Sequence, residues 1–391
     1  MTIPDASNVT SDVCQVCGTG KLRPVQGFSD LLRITSDCKP YPSGGFLAVC
    51  GACGAVQKAP TNEWLIEITG IYEDYAAYYQ SGGDEQIVFD RQSGLPRRRS
   101  DVLLERLVSL GRLADNGVVL DVGCGNGVTL TSMSRALPHW QLNGFEIGDD
   151  SLARLSIIPG FERLHTGTLD SINKPFDLVT MVHSLEHFPS PFDALKTLRR
   201  NVCRDNLFIE VCNVDENPFD ILVADHLIHF TPSSLSRLLQ RAGFSPVSIA
   251  TDWVAKEISL LANISDIPDE FNVDTTVDVK AIHQRLEAYV TWLKRLRDEA
   301  LDAAKGDNPF GLFGTSIAAT WLAPQLEDKV AFFVDEDSSR IGREHLGRPI
   351  VHPNAIPQNA KIFMALAPRV ASAIADRLGE LPCTFVMPPL I

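Results

Sequence analysis

Through the middle of the chain, short apolar runs alternate with amphipathic stretches. Residues 118–122 (Val-Val-Leu-Asp-Val) form a run rich in branched side chains, and residues 128–137 behind them have helical spacing. Residues 140–145, 161–169, 176–182 and 207–211 are further strand-like runs. Residues 232–242, with Pro232 at the start and Gly243 at the end, read as a helix. Strands alternating with helices predict a parallel sheet covered by helices, a doubly wound α/β core. Ahead of it, Val102, Leu103, Leu107 and Leu110 give residues 96–113 a helical apolar face leading into the first strand. Behind it, Ile282, Leu286, Tyr289, Leu293, Leu296 and Ala300 recur at spacings of four and three. That stripe reads as one domain packed on another, with a dimer seam as the alternative. A second strand–turn–helix pattern begins at Asn308, and residues 330–334 are its next strand.

The first strand ends in chemistry. Asp121-Val122-Gly123-Cys124-Gly125-Asn126-Gly127 places three glycines at alternate positions before a helix. Such a turn lets a ligand approach bare main chain and lets the helix pack closely. No Lys-Ser/Thr of a phosphate loop follows, and Glu146 closes the next strand. Asp-x-Gly-x-Gly-x-Gly with an acid after strand two resembles the S-adenosylmethionine (SAM) site of class I methyltransferases. The resemblance implies that Gly123, Cys124, Gly125, Asn126 and Gly127 pass under the cofactor's amino-acid end, with Asp121 helping to hold it. Glu146 would bind the ribose hydroxyls, and Leu169 and Asp170 would lie by the adenine. A NAD or flavin site in the same fold is the alternative reading of the glycines.

Charge narrows the partners. The net charge is −14 over 391 residues, and the one dense basic cluster is Arg97-Arg98-Arg99. A nucleic-acid-coating protein carries an extended basic face instead. No apolar run reaches the ~20 residues that span a bilayer, so membrane insertion is not expected. The first residues lack a basic start followed by an apolar stretch, so a cytoplasmic protein is expected.

Nine cysteines in such a protein point to metal or free thiols rather than disulfides. Cys14-Gln-Val-Cys17-Gly and Cys50-Gly-Ala-Cys53-Gly are two Cys-x2-Cys knuckles, four soft ligands for one structural Zn²⁺. Cys38 between them reads as a bystander. Beyond this module lies an aromatic stretch with Tyr72, Tyr75, Tyr78 and Tyr79, read either as an interface or as a lid over substrate.

Strand ends of an open parallel sheet line its ligand crevice, which draws attention to His183-Ser-Leu-Glu186-His187 after strand four and Asp225-His226 after strand five. A histidine of ordinary pKa, ~6.5, is the natural base for removing a substrate proton. The zinc module, the glycine turn, Glu186-His187 and Asp225-His226-Leu-Ile-His229-Phe-Thr together resemble the three-domain nucleotide-sugar C-methyltransferases. That family comprises a zinc domain, a class I core and a C-terminal Rossmann-like domain, and methylates carbon beside the ketone of a nucleotide-linked 4-keto-6-deoxy sugar. The resemblance implies His226 as base, His187 as donor to the enolate oxygen, Asp225 and Glu186 beside them, and Tyr79 closing the pocket; His183 joins the cofactor site. Val223 and Ala224 stand where the family has tyrosine and histidine or glutamine, and Asp225 where it has glutamate.

The implied division is a zinc module over 1–63, an aromatic lid and helical connection over 64–115 and a SAM-binding core over 116–275. A linker helix over 276–306 and a Rossmann-like domain over 307–391 complete it. The leading expectation is a SAM-dependent, zinc-containing methyltransferase of a small nucleotide-sugar, monomer or homodimer. An O-methyltransferase of a sugar or polysaccharide precursor, a zinc-containing nucleic-acid methyltransferase and a non-enzymatic scaffold are the competing readings. Net charge and the lack of an Asn/Asp-Pro-Pro-aromatic stretch after strand four count against nucleic acid.

Overall fold

The computed structural model describes residues 13–76, 81, 83–85, 87–89, 96–264 and 277–391. At its centre is a seven-stranded sheet. In chain order the strands are β1 (Gly117–Val122), β2 (Trp140–Glu146), β3 (Phe161–Thr166), β4 (Phe176–Val182), β5 (Cys203–Cys212), β6 (Phe244–Ala250) and β7 (Glu257–Ile264). Across the sheet they lie in the order β3-β2-β1-β4-β5-β7-β6. The first five run parallel, while β7 pairs antiparallel with both β5 and β6. The order reverses between β1 and β4, so their carboxyl ends open the crevice where an α/β sheet binds ligands. Leu120, Val122, Val179, Met181, Leu207 and Ile209 are buried, as expected of strands covered on both faces.

The N-terminal module is a four-stranded sheet made of Leu22–Pro24, Ala48–Cys50, Val56–Gln57 and Ile228–His229. Its last strand comes from beyond β5, so residues around 228 belong to the module as much as to the core. The boundaries at 63 and 116 expected from sequence are therefore crossed by strand pairing between Val56–Gln57 and Ile228–His229. One continuous apolar core runs from Cys14, Cys50 and Trp64 to Leu120, Met181 and Leu227.

The stripe beyond the core forms helix Val279–Ala303. Leu286, Tyr289, Trp292, Leu293, Leu296 and Ala300 are buried within the chain against Phe28 and Val49 of the module and Phe310, Trp321 and Phe333 of the C-terminal lobe. Full burial of each leucine contributes about 1.5–3 kcal/mol. The stripe is thus covered from within the chain. The lobe has a six-stranded sheet, parallel except at the edge strand Glu344–His345.

Pro96–Arg98, read as the start of a helix, instead pairs as a short strand with Ile87–Phe89, and the helix runs from Arg99 to Ser109. The aromatic stretch opens as helix Asn62–Glu73, capped by the Thr61 side chain. Tyr78 and Tyr79 lie outside the described residues. Among the described residues no helix is long and apolar enough to cross a membrane.

Candidate active site

A cleft of about 2270 Å³ is lined by the module, the central sheet and the C-terminal lobe. Its floor is the glycine turn. Gly123, Gly125 and Gly127 all have positive φ, of 78°, 52° and 84°, but they do different things. A Cβ on Gly123 would come within 2.6 Å of Ser184, and one on Gly127 within 2.5 Å of Leu155. Those two glycines permit close packing, Gly127 against the segment after β2 rather than the sheet. A Cβ on Gly125 would meet nothing within 4 Å, because it points into the cleft. The Gly125 amide donates to Glu146 Oε1 at 2.8 Å and the Ile147 amide to Oε2 at 2.9 Å, which fixes the carboxylate at the turn. Each of its oxygens keeps a further acceptor site.

Gly123, Cys124, Gly125, Asn126, Glu146, Leu169, Asp170 and His183 all line the cleft. Asp121 and Gly127 do not. Asp121 sits behind the turn, buried, accepting from Thr180 Oγ1 at 2.6 Å. Burial pushes its carboxyl up to about 7. From this position Asp121 faces the back of the turn rather than the cleft.

The histidines meet carboxylates, although not their sequence neighbours. His187 Nδ1 lies 3.3 Å from Asp225 Oδ2, His226 Nδ1 lies 3.0 Å from Asp220 Oδ1, and Glu186 Oε1 lies 3.4 Å from His183 Nδ1. Neither sequence pair, Glu186-His187 or Asp225-His226, is thus kept as an ion pair in space: Asp225 serves His187, Asp220 serves His226 and Glu186 faces His183. The His187 and His226 rings face each other edge to face with centroids 4.7 Å apart, and Tyr72 stands 6.2 Å from His187. Both histidines and Tyr72 line the cleft, with Glu186 and Asp225 buried behind them.

Asp225 is fully buried and takes the amide of Ser36 at 2.8 Å and its hydroxyl at 2.5 Å, both from the N-terminal module. Burial opposes its ionisation, but His187, His226 and Ser36 outweigh burial and hold the carboxyl well below the usual range. For His187, burial opposes the charge while Asp225 and Glu186 favour it, and the balance raises its pKa. His187 is thus favoured in its protonated, donating form.

His183 ends β4 with φ of 49°, a left-handed conformation that a histidine adopts at some cost. Glu186, Glu210 and Glu257 surround it, with Glu257 Oε2 3.6 Å and Glu210 Oε1 3.7 Å from Nε2. Burial and the Arg99 charge work against its protonation, but the three carboxylates win and raise it to about 10. Arg99 Nη1 lies 2.8 Å from the same nitrogen.

Sequence reasoning missed Asp220, Lys58, Ser36, Glu210 and Glu257. Lys58 follows Gln57 in Ala55-Val-Gln-Lys-Ala59, a mixed stretch that gives no sign of a buried cation. Asp220 sits in a short turn with no periodicity to betray its burial.

The four knuckle sulfurs lie within 4.8 Å of one another. Backbone amides of Gly20, Ala52 and Cys53 lie 3.4 Å from Cys17 or Cys50 sulfur, as suits thiolates held for a metal. In the C-terminal lobe, Asp335 accepts from Thr315 Oγ1 at 2.6 Å and meets Arg340 at 3.3 Å, so its carboxylate is already engaged.

Residues 94–249 match the family model described as a methyltransferase domain. A tRNA U34 carboxymethyltransferase from Aliarcobacter butzleri is 28% identical over 148 residues, 34% of this chain and 48% of that protein. A ubiquinone biosynthesis O-methyltransferase from Aeromonas salmonicida is 28% identical over 149 residues, 32% of this chain and 61% of that protein. The matches thus span about half to three fifths of these curated relatives. A solved structure of 1,6-didemethyltoxoflavin-N1-methyltransferase from Burkholderia thailandensis, with S-adenosylhomocysteine bound, is 18% identical with a TM-score of 0.41. It covers 57% of this chain and 96% of that one. The family model covers the glycine turn and most of the central sheet, so this part of the chain is similar to methyltransferase domains.

Proposed function

We propose that the protein transfers a methyl group from SAM to carbon beside the ketone of a nucleotide-linked sugar, using His226 as base. The observation that carries this reading is the His187–His226 pair, two carboxylate-backed imidazoles facing each other on the cleft that holds the Gly125–Glu146 turn. A methyltransferase acting on a nucleophile that is already reactive needs alignment alone. One acting on an enolisable carbon also needs a base and a donor to the enolate oxygen, which this pair provides.

SAM would be held by Gly123–Asn126, Glu146, Leu169 and Asp170, and when bound it supplies an electrophilic methyl carbon. The open space over Gly125 is where a Cβ would intrude on such a ligand. His226 would take the α-proton at its free ring nitrogen, and His187, its charge favoured by Asp225, would donate to the developing oxyanion. Cys14, Cys17, Cys50 and Cys53 would hold one Zn²⁺, closed to substrate because all four positions are protein sulfur. The parallel lobe beyond residue 307, read as a second Rossmann-like unit, would offer the far wall to the nucleotide.

Incubation with labelled SAM and a panel of keto and reduced nucleotide-sugars, followed by mass spectrometry, tests the substrate. Methylation confined to the keto sugars is the expected result. Methylation of a reduced sugar would replace this reading with O-methylation, and label removed by nuclease would replace it with a nucleic-acid substrate. For the cofactor, Glu146→Ala is expected to weaken SAM binding by roughly tenfold or more, the loss of one charge-assisted hydrogen-bond pair. Gly125→Val should weaken it further, because the added side chain fills the ligand's space and the positive φ is strained for a branched residue. Calorimetry showing unchanged affinity in both variants would remove the assignment.

A further inference from the structure

Behind the His226 ring, the contact with Asp220 continues into a buried hydrogen-bonded chain. Asp220, buried, places Oδ1 3.0 Å from His226 Nδ1 and Oδ2 2.8 Å from His229 Nδ1. His229 Nε2 in turn lies 3.0 Å from Lys58 Nζ. The Lys58 ammonium also donates to the carbonyl oxygens of Val223 at 2.5 Å and His226 at 2.8 Å.

From these contacts we infer that Asp220, locked by His229 and Lys58, is the positioning residue that fixes His226 in its Nδ1–H form and so presents Nε2 to the cleft as the basic nitrogen. The Lys58 ammonium has three donors and no acceptor, and here it has three partners. His229 Nε2 must then be the acceptor, so the His229 proton sits on Nδ1 and is donated to Asp220 Oδ2. Asp220 is an ionised carboxylate with acceptors only, so its other oxygen takes the Nδ1–H of His226. One tautomer of His226 remains, with the Nε2 lone pair unused by the protein.

The charges agree with this polarity. Burial opposes ionisation of Asp220, but the His229 and His226 rings hold its carboxyl well below the usual range. Burial and the Lys58 charge hold His229 down at about 4, so it stays neutral as a relay must. Burial also draws Lys58 down to about 7, against the pull of Asp220 and Asp225. Should Lys58 yield its proton, His229 still needs an Nδ1–H to sit 2.8 Å from an ionised oxygen, so the tautomer of His226 is the same. When His226 accepts the substrate proton, the imidazolium forms against a carboxylate already in place, with no reorganisation.

Lys58 follows the second cysteine knuckle, and Ser36, which grips the Asp225 behind His187, lies between the knuckles. The N-terminal module therefore orders both histidines, one through Lys58, His229 and Asp220 and the other through Ser36 and Asp225.

This inference rests on His226 as base for its catalytic consequence but not for the tautomer, and the experiment separates the two. Ring ¹⁵N–¹H correlation spectra of the full-length wild type, with selectively labelled histidine, should show both His226 and His229 protonated on Nδ1. A wild-type His226 carrying its proton on Nε2 overturns the proposal, and this measurement needs no variant to fold. In Asp220→Asn the amide can donate as well as accept, and His226 should populate the Nε2–H form. Methyl transfer should then fall roughly 10²–10⁴-fold in kcat, as when a buried carboxylate behind a catalytic histidine is neutralised, with SAM affinity unchanged. Asp220→Glu should restore part of the rate and the Nδ1–H signal. An Asp220→Asn protein with wild-type kcat and wild-type tautomer overturns the proposal. A wild type with the expected tautomers that methylates no keto sugar defeats the proposed function and leaves the positioning role standing.

Discussion

His226→Asn is expected to lower the rate of methyl transfer roughly 10²–10⁴-fold, the usual worth of a positioned base, while SAM binding stays unchanged. Asparagine keeps a hydrogen-bonding group toward Asp220 and much of the ring's volume, so the buried chain from Lys58 retains its last partner. What it lacks is a nitrogen that can take a proton near neutral pH. The variant should also abolish SAM-independent exchange of the sugar's α-proton with deuterated water. That readout isolates proton removal from methyl transfer. His187→Asn should reduce exchange less, because His187 acts on the oxygen rather than on the proton. Exchange that survives in His226→Asn and disappears in His187→Asn would interchange the two roles.

Cys50→Ser is expected to cost folding before it costs chemistry, with most of the protein lost from the soluble fraction. Elemental analysis of the wild type, purified without chelator, should find about one zinc per chain. The reason for so large an effect is the position of the module. Cys50 is fully buried at the end of a central strand of the four-stranded sheet, and it shares an apolar core with Trp64, Met181 and Leu227. The same sheet includes Ile228–His229, two residues beyond the proposed base. Removing one thiolate from a four-thiolate site leaves an incomplete buried ligand set inside the wall of the cleft. Wild-type protein that contains no zinc, or a Cys50→Ser variant as soluble and active as wild type, would end the structural-zinc reading. SAM affinity that persists in any soluble remnant would show that the Gly125–Glu146 turn does not depend on the metal.

Much of the architecture was legible because its causes are local. Apolar runs rich in branched residues made strands of the central sheet at Gly117–Val122 and Phe176–Val182. The glycine turn and the acid ending β2 came together because a parallel sheet puts the ends of adjacent strands side by side. The cysteine knuckles converge because each supplies its two sulfurs from a short segment. The apolar stripe at spacings of three and four became the helix Val279–Ala303, since helical periodicity is written residue by residue.

Which acid serves which histidine was decided only by the tertiary structure. Asp225 precedes His226 in sequence, but in this short loop successive side chains point apart, so it faces His187 from the preceding strand end instead. Asp220, Lys58 and Ser36 reach the site from three separate segments, and long-range pairing of this kind leaves no periodic trace. The three glycines likewise look equivalent in the sequence. Their neighbours distinguish them, Ser184 over Gly123, Leu155 over Gly127 and open cleft over Gly125. Local elements and the chemical groups available follow from the order of residues along the chain. The packing of the module onto the sheet determined which groups meet, because burial leaves each charge only the partner that the fold brings within hydrogen-bond reach.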